Sequence, residues 1–189
     1  EDLLKELENL DVVAVLQLLI KYGLIEGTKE GCHKFVHDRI QQASYSLLDE
    51  GSLARALLHR QIGVYLRKTL LSLGDMAEDW LLFAAVDQLN KASETLTQGV
   101  LRVDLARLNY KAAQKAFRLS AFVPASEYAL KGSEVLDGRE KWTFNYDCAV
   151  NICTLAARAC YSAGHNSKSH DMIQEVVENS ITPVESLPV

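Results

Sequence analysis

Apolar residues recur at helical spacing along most of this chain, and the rhythm breaks once, near residue 25. A short helix is expected from Leu3 to Leu10. Behind it Asp11 stands where an N-cap belongs, followed by Val12, Val13, Val15, Leu16, Leu19 and Ile20. That spacing predicts a second helix with little polar face, stopped at Gly23. Leu24–Glu26 and His33–Val36 are too short for helices, and on either side of the Gly27–Gly31 turn they predict a β-hairpin. From Asp38 onward Ile40, Ala43, Leu47 and Leu48 return to helical spacing. Asp38 with Gln41 forms an acidic capping box, so a helix is expected to start at that aspartate.

From Ser52 the pattern is helical throughout. Ser52 is set to cap a helix over Leu53–Leu73 that ends at Gly74, and Asp75 with Glu78 predicts the opening of another that runs to Asn90. Lys91–Gly99 reads as a loop or broken helix. Two helical hairpins should follow, Val100–Ser120 with Pro124–Leu136 and Lys141–Ser162 with Ser167–Asn179. Pro124 suits the first position of its helix, Asp137-Gly138 its end, and Gly164-His165-Asn166 the second hairpin turn. An offset of 44 residues aligns the hairpins, pairing Ala113 with Ala157, Phe122 with Asn166, Ala125 with Ser169 and Gly132 with Val176. Small residues at such crossings let helix backbones approach closely. The arrangement resembles tetratricopeptide repeats, with a period longer than their usual length of roughly 34 residues. The expected fold is mainly α. Residues 1–50 would form a partial winged helix with the β-hairpin as its wing. Residues 51–180 would form a tetratricopeptide-like α-solenoid, and residues 181–189 a tail.

Composition narrows the function classes. The chain has 189 residues, 48% hydrophobic and 24% charged, which is ordinary for a globular protein. No apolar run approaches the roughly 20 residues of a membrane span, so a cytoplasmic location is expected. Glu1 in place of Met, and the patternless Ile181–Val189, are what a piece of a longer protein would present. Cys32, Cys148, Cys153 and Cys160 form no CxxC pair and no disulfide framework, as expected of reduced core cysteines. The net charge of −5 lies wholly in residues 1–50, where ten acidic residues face five basic ones. A DNA-reading winged helix needs cations for the phosphates. The helix after Asp11 offers Lys21 alone, which argues against a transcriptional regulator.

Candidate chemistry is sparse. Cys32, His33 and His37 lack the further ligands that zinc requires, so no metal is expected. Phosphate-loop, GxSxG, HExxH and kinase signatures do not occur. No catalytic residue is therefore assigned, and the chain is not expected to act as an enzyme by itself. One helix carries Arg107, Lys111, Lys115 and Arg118 in a basic stripe flanked by apolar residues on both sides. The stripe is either a solvated ridge or a contact for an acidic partner. His37 lies beside the expected positive end of a helix, a place suited to meeting an anion.

Phe35–Leu48 (FVHDRIQQASYSLL) resembles a segment of very large multidomain signalling proteins. These combine a protein-kinase-like domain, an AAA-related ATPase of the STAND class (signal-transduction NTPases), helical repeats, sensor domains and often a histidine kinase. In them a similar motif, FVHDRIQQAAYSL, follows the nucleotide-binding core. Leu58–Gly63 (LHRQIG), Leu82–Asn90 (LFAAVDQLN) and the Leu105–Gly132 stretch are looser matches to the same family. Val36-His37-Asp38 is also similar to the Met-His-Asp motif of NB-ARC-type members, with Val in place of Met. There the histidine contacts the ADP phosphate and holds the protein closed. The resemblance implies that His37 and Asp38 sense the nucleotide state of an upstream ATPase domain of the same chain. ATP or ADP with Mg would be bound in that domain, with no cofactor in these residues. The bland alternative is that His37 packs locally while Asp38 caps the helix.

The sequence thus leads to a non-catalytic regulatory and scaffold segment of a STAND-type ATPase in a signal-transduction kinase. A protein partner would dock on its helical repeats, with no nucleic acid and no membrane involved. The alternative is a free-standing tetratricopeptide-like adaptor for protein–protein interaction, without nucleotide linkage.

Overall fold

Asp11 caps the first helix, α1 (Val12–Lys21), by accepting the Ala14 N–H at 3.1 Å, and Gly23 turns the chain out of it with φ +67°. Two short strands follow, β1 (Ile25–Gly27) and β2 (His33–Phe35). They pair antiparallel with Ile25 opposite Phe35 and Gly27 opposite His33. β1 starts one residue later than expected and β2 ends one residue earlier, although Val36 N–H still donates to the Leu24 carbonyl at 3.1 Å. Then comes α2 (Asp38–Ser46). The computed structural model describes residues 11–28, 32–96, 99–136, 139–143 and 145–181, without the side chains of Val12, Gly99, Val100, Arg139 and Glu140. The expected Leu3–Leu10 helix, the tip of the hairpin turn, the Asp137-Gly138 stop and the tail from residue 182 lie outside them. The chain divides into two compact units, with the division after Arg55.

The second unit is helical throughout. Ser52 Oγ accepts the Arg55 N–H at 3.2 Å where α3 (Leu53–Leu73) starts, and Gly74, at φ +53°, ends it. Asp75 does not open the next helix as expected. It sits in a 3-10 turn, Ala77 and Glu78 are extended, and α4 runs Asp79–Lys91. Glu78 accepts the Trp80 indole N–H at 2.8 Å instead of capping backbone groups. The described residues between Lys91 and Gly99 include a 3-10 turn, Ser93–Thr95.

α5 (Gly99–Arg118) and α6 (Phe122–Val135) form the first hairpin. Pro124 occupies the third position of α6 and not the first. Its missing N–H is harmless there, because the first four N–H groups of a helix have no internal acceptor. The helix expected over Lys141–Ser162 is broken into α7 (Arg139–Thr143) and α8 (Tyr146–Ser162). Asn145 adopts φ −125°, ψ 29° at the break, and the Trp142 and Tyr146 rings meet edge to face 6.0 Å apart across it. Gly164, at φ +81°, leads into α9 (Asn166–Asn179). α7 is an additional short helix between the two hairpins.

Three of the four pairs aligned by the 44-residue offset are buried, Ala113 with Ala157, Ala125 with Ser169 and Gly132 with Val176, whereas Phe122 is half-buried and Asn166 exposed. Ser169 Oγ donates to the Ala157 carbonyl at 2.9 Å, and a Cβ on Gly132 would stand 3.0 Å from that of Asn109. The core is graded along α5, α6 and α8. Leu105, Val135 and Ile152 fill its wide end, Ala113, Ala129 and Ala156 its middle, and Ala116, Ala125 and Ala159 its narrow end. Each large side chain so buried contributes about 1.5–3 kcal/mol, while the alanines allow the three helices to converge.

Candidate functional site

The junction between β2 and α2 carries His37 and Asp38. His37, and not Asp38, is the N-cap. Its backbone is extended (φ −146°, ψ 139°) and its ring Nδ1 accepts the Arg39 N–H at 3.1 Å. Asp38 is already the first helical residue, so its carboxylate faces the positive helix end as a charge and not as a cap. The geometry assigns the His37 tautomer. A ring nitrogen that accepts holds no proton, so the donor left on this exposed side chain is Nε2–H. Nε2–H lies across the ring from Nδ1, so it is directed away from the helix N–H that Nδ1 accepts and toward whatever group faces this junction.

The unit that carries His37 leaves many of its large apolar side chains exposed. Among the described residues of the first unit only Ile25 is a buried apolar side chain. Leu47 is 84% exposed, Tyr22 68% and Val13 64%, and Leu18, Ile20, Phe35 and Val36 are also exposed. Folded units ordinarily hide much of such a set of large side chains.

The basic stripe lies on α5. Lys115 pairs with Asp79 of α4, and Asp104, one turn before the stripe, pairs with Arg67 of α3. These ion pairs tie α5 to its neighbours. Arg107 lies against the Cys148 thiol of α8, where burial pushes the thiol pKa up and the guanidinium pulls it down. Lys111 and Arg118 are exposed. Among the described residues, no carboxylate pairs with Arg107, Lys111 or Arg118. Sequence reasoning missed a fourth such cation, Arg158 of α8, whose guanidinium lies 5.3 Å from the centre of the Phe117 ring. The repeat offset carried the signal, since it maps Arg158 onto Gln114, inside the stripe.

A cavity of about 510 Å3 opens between α6, α7 and α9, lined among others by Leu130, Ser133, Lys141, Trp142, Met172 and Glu175. Lys141 is buried and donates to Ser133 Oγ at 2.7 Å and to Glu175 Oε1 at 2.5 Å. Trp142 Nε1–H donates to the same carboxylate oxygen at 3.3 Å. The charges cancel in place, so the cluster is a latch that fixes α7 across α6 and α9. Burial also raises the Cys153 thiol, with the Lys141 ammonium pulling the other way, and burial raises Cys160. Among the described residues no three His, Cys, Asp or Glu side chains are grouped to hold a metal, and no helix is long and apolar enough to cross a membrane.

Comparison with protein-family models, curated proteins and solved structures finds no match to this chain.

Proposed function

We propose that this chain is a non-catalytic regulatory and scaffold segment of a STAND-type ATPase within a multidomain signal-transduction kinase. In this reading the first unit packs on an upstream nucleotide-binding domain of the same chain, and the helical pairs carry its nucleotide state to a protein partner. The observation that carries the reading is His37. It stands exposed at a strand-to-helix junction, with Nδ1 engaged and Nε2–H left as donor, in a unit that exposes most of its large apolar side chains. That is the arrangement required of a residue that completes a phosphate site supplied by a neighbouring domain. The FVHDRIQQASYSL resemblance supports the same placement.

The experiment is ADP release from the full-length protein. His37→Ala should speed release, and an unchanged rate would remove the nucleotide-sensing role. The sequence upstream of Glu1 supplies a second check, because the reading requires a phosphate loop and a Walker B aspartate there.

The adaptor reading draws on a different observation, the uncompensated cations of α5 and α8. It would stand alone if no ATPase precedes the chain.

A further inference from the structure

The stripe of α5 holds like charges where a helix can least accommodate them. Arg107 and Lys111 are one i,i+4 step apart, and such like-charge neighbours destabilise a helix. Lys115 is relieved by Asp79, whereas Arg107, Lys111 and Arg118 have no carboxylate partner among the described residues. Arg158, on the adjacent helix beside Phe117, extends the row with a fourth uncompensated charge. In a chain of net charge −5, a run of exposed cations is a local reversal of sign. Solvation alone does not call for it, because glutamate or glutamine would solvate the same ridge without repulsion.

We infer that this ridge binds an extended acidic peptide segment of a protein partner, with carboxylates at alternating positions. The spacing argues for it. Side chains at i and i+4 on a helix are about 6 Å apart along its axis, and every second residue of an extended strand is about 6.7 Å apart. Arg107 to Arg118 spans about 17 Å, and three alternating carboxylates span about 13 Å, within the reach of the long side chains at either end. Asp79 and Asp104, each at the edge of the ridge and each already paired, disfavour a continuous polyanion such as nucleic acid. A peptide with charges only on one face avoids them. This proposal rests on the reading of the helical pairs as a partner-binding scaffold.

The test is fluorescence anisotropy at low salt with a labelled Ala-Glu-Ala-Glu-Ala-Glu-Ala peptide. The competitors are a permuted peptide with three consecutive glutamates and a single-stranded oligonucleotide of equal charge. The alternating peptide should bind about tenfold more tightly than either, with affinity falling as salt rises. The variant Arg107→Gln/Lys111→Gln/Arg118→Gln should lose that binding, and Lys111→Gln/Arg118→Gln, which keeps the Arg107 contact with Cys148, should weaken it and melt no lower than the wild type. Equal binding of all three probes, no saturable binding of the alternating peptide, or unaltered binding by the triple variant would each overturn the proposal. ADP release from the full-length protein should be untouched by the triple variant, so this proposal and the His37 reading fail separately.

Discussion

Gly63 of α3 lies directly against Leu89 of α4: a Cβ at position 63 would stand 2.7 Å from Leu89 Cγ and 3.0 Å from its backbone nitrogen. One turn earlier, His59 is buried and its Nδ1–H donates to Gln88 Oε1 at 2.6 Å. The segments LHRQIG and LFAAVDQLN, far apart in sequence, are thus two sides of one helix crossing.

Gly63→Ala should therefore destabilise the protein even though alanine is the better helix former. Overpacking costs about 1–3 kcal/mol, against a propensity gain of about 1 kcal/mol. Retreat of the Leu89 side chain cannot clear the backbone nitrogen. The melting temperature should fall by a few degrees, and Gly63→Ala should be less costly in a Leu89→Ala background. Additive effects of the two changes would show that the contact is not the cause.

The latch at Lys141 makes an asymmetric prediction. Lys141→Met leaves Glu175 partly buried without its partner, which typically costs about 3–5 kcal/mol. The double variant Lys141→Met/Glu175→Leu should recover most of that loss. Chemical denaturation of the two variants checks it, and a double variant no better than the single one would assign the stability to something other than the pair.

Tyr128 gives the alkaline limb of the stability curve. Its hydroxyl donates to Asp87 Oδ1 at 2.8 Å, and partial burial with this carboxylate raises its pKa well above the usual value. The folded state then keeps the proton at a pH where the unfolded chain, titrating near about 10, gives it up. This stabilisation is fully present below that pH and is lost as pH rises beyond it. Thermal melts between pH 8 and 11 should show a fall that is shallower in Tyr128→Phe. Parallel curves would contradict the assignment.

His37 serves the helix and, in our proposal, the nucleotide, and the two roles can be separated. His37→Ala removes an N-cap, at a cost of about 0.5–2 kcal/mol. His37→Asn supplies a good cap without the imidazole. Melting of the first unit should be restored by Asn and not by Ala, read from helical circular dichroism.

Much of the fold was legible because its signals are local. Asp11 and Ser52 cap where their side chains reach the first-turn N–H groups, and Gly23, Gly74 and Gly164 end helices through positive φ. The repeat offset was legible because helix crossings demand small residues. The break between α7 and α8 was not, because apolar spacing runs on through it; α7 is instead held by a contact between Lys141 and Glu175, 34 positions apart in sequence. The cap of α2 was misassigned for a similar reason. Asp38 with Gln41 fits a capping box, but the extended backbone ends one residue earlier, and a histidine ring nitrogen accepts the bond. At the ridge, the row of cations could be read from spacing. Which of them find carboxylates depends on Asp79 and Arg67, on other helices.

The central claim is that His37 holds a nucleotide phosphate through Nε2–H, apart from its duty as a cap. ADP dissociation from full-length His37→Asn measures this most directly, because the helix is kept and the donor is lost. The account predicts release about tenfold faster than in the wild type, a loss of about 1.4 kcal/mol of retention, with the melting of the first unit unchanged. ADP release at the wild-type rate, with the imidazole gone and the cap intact, would contradict it.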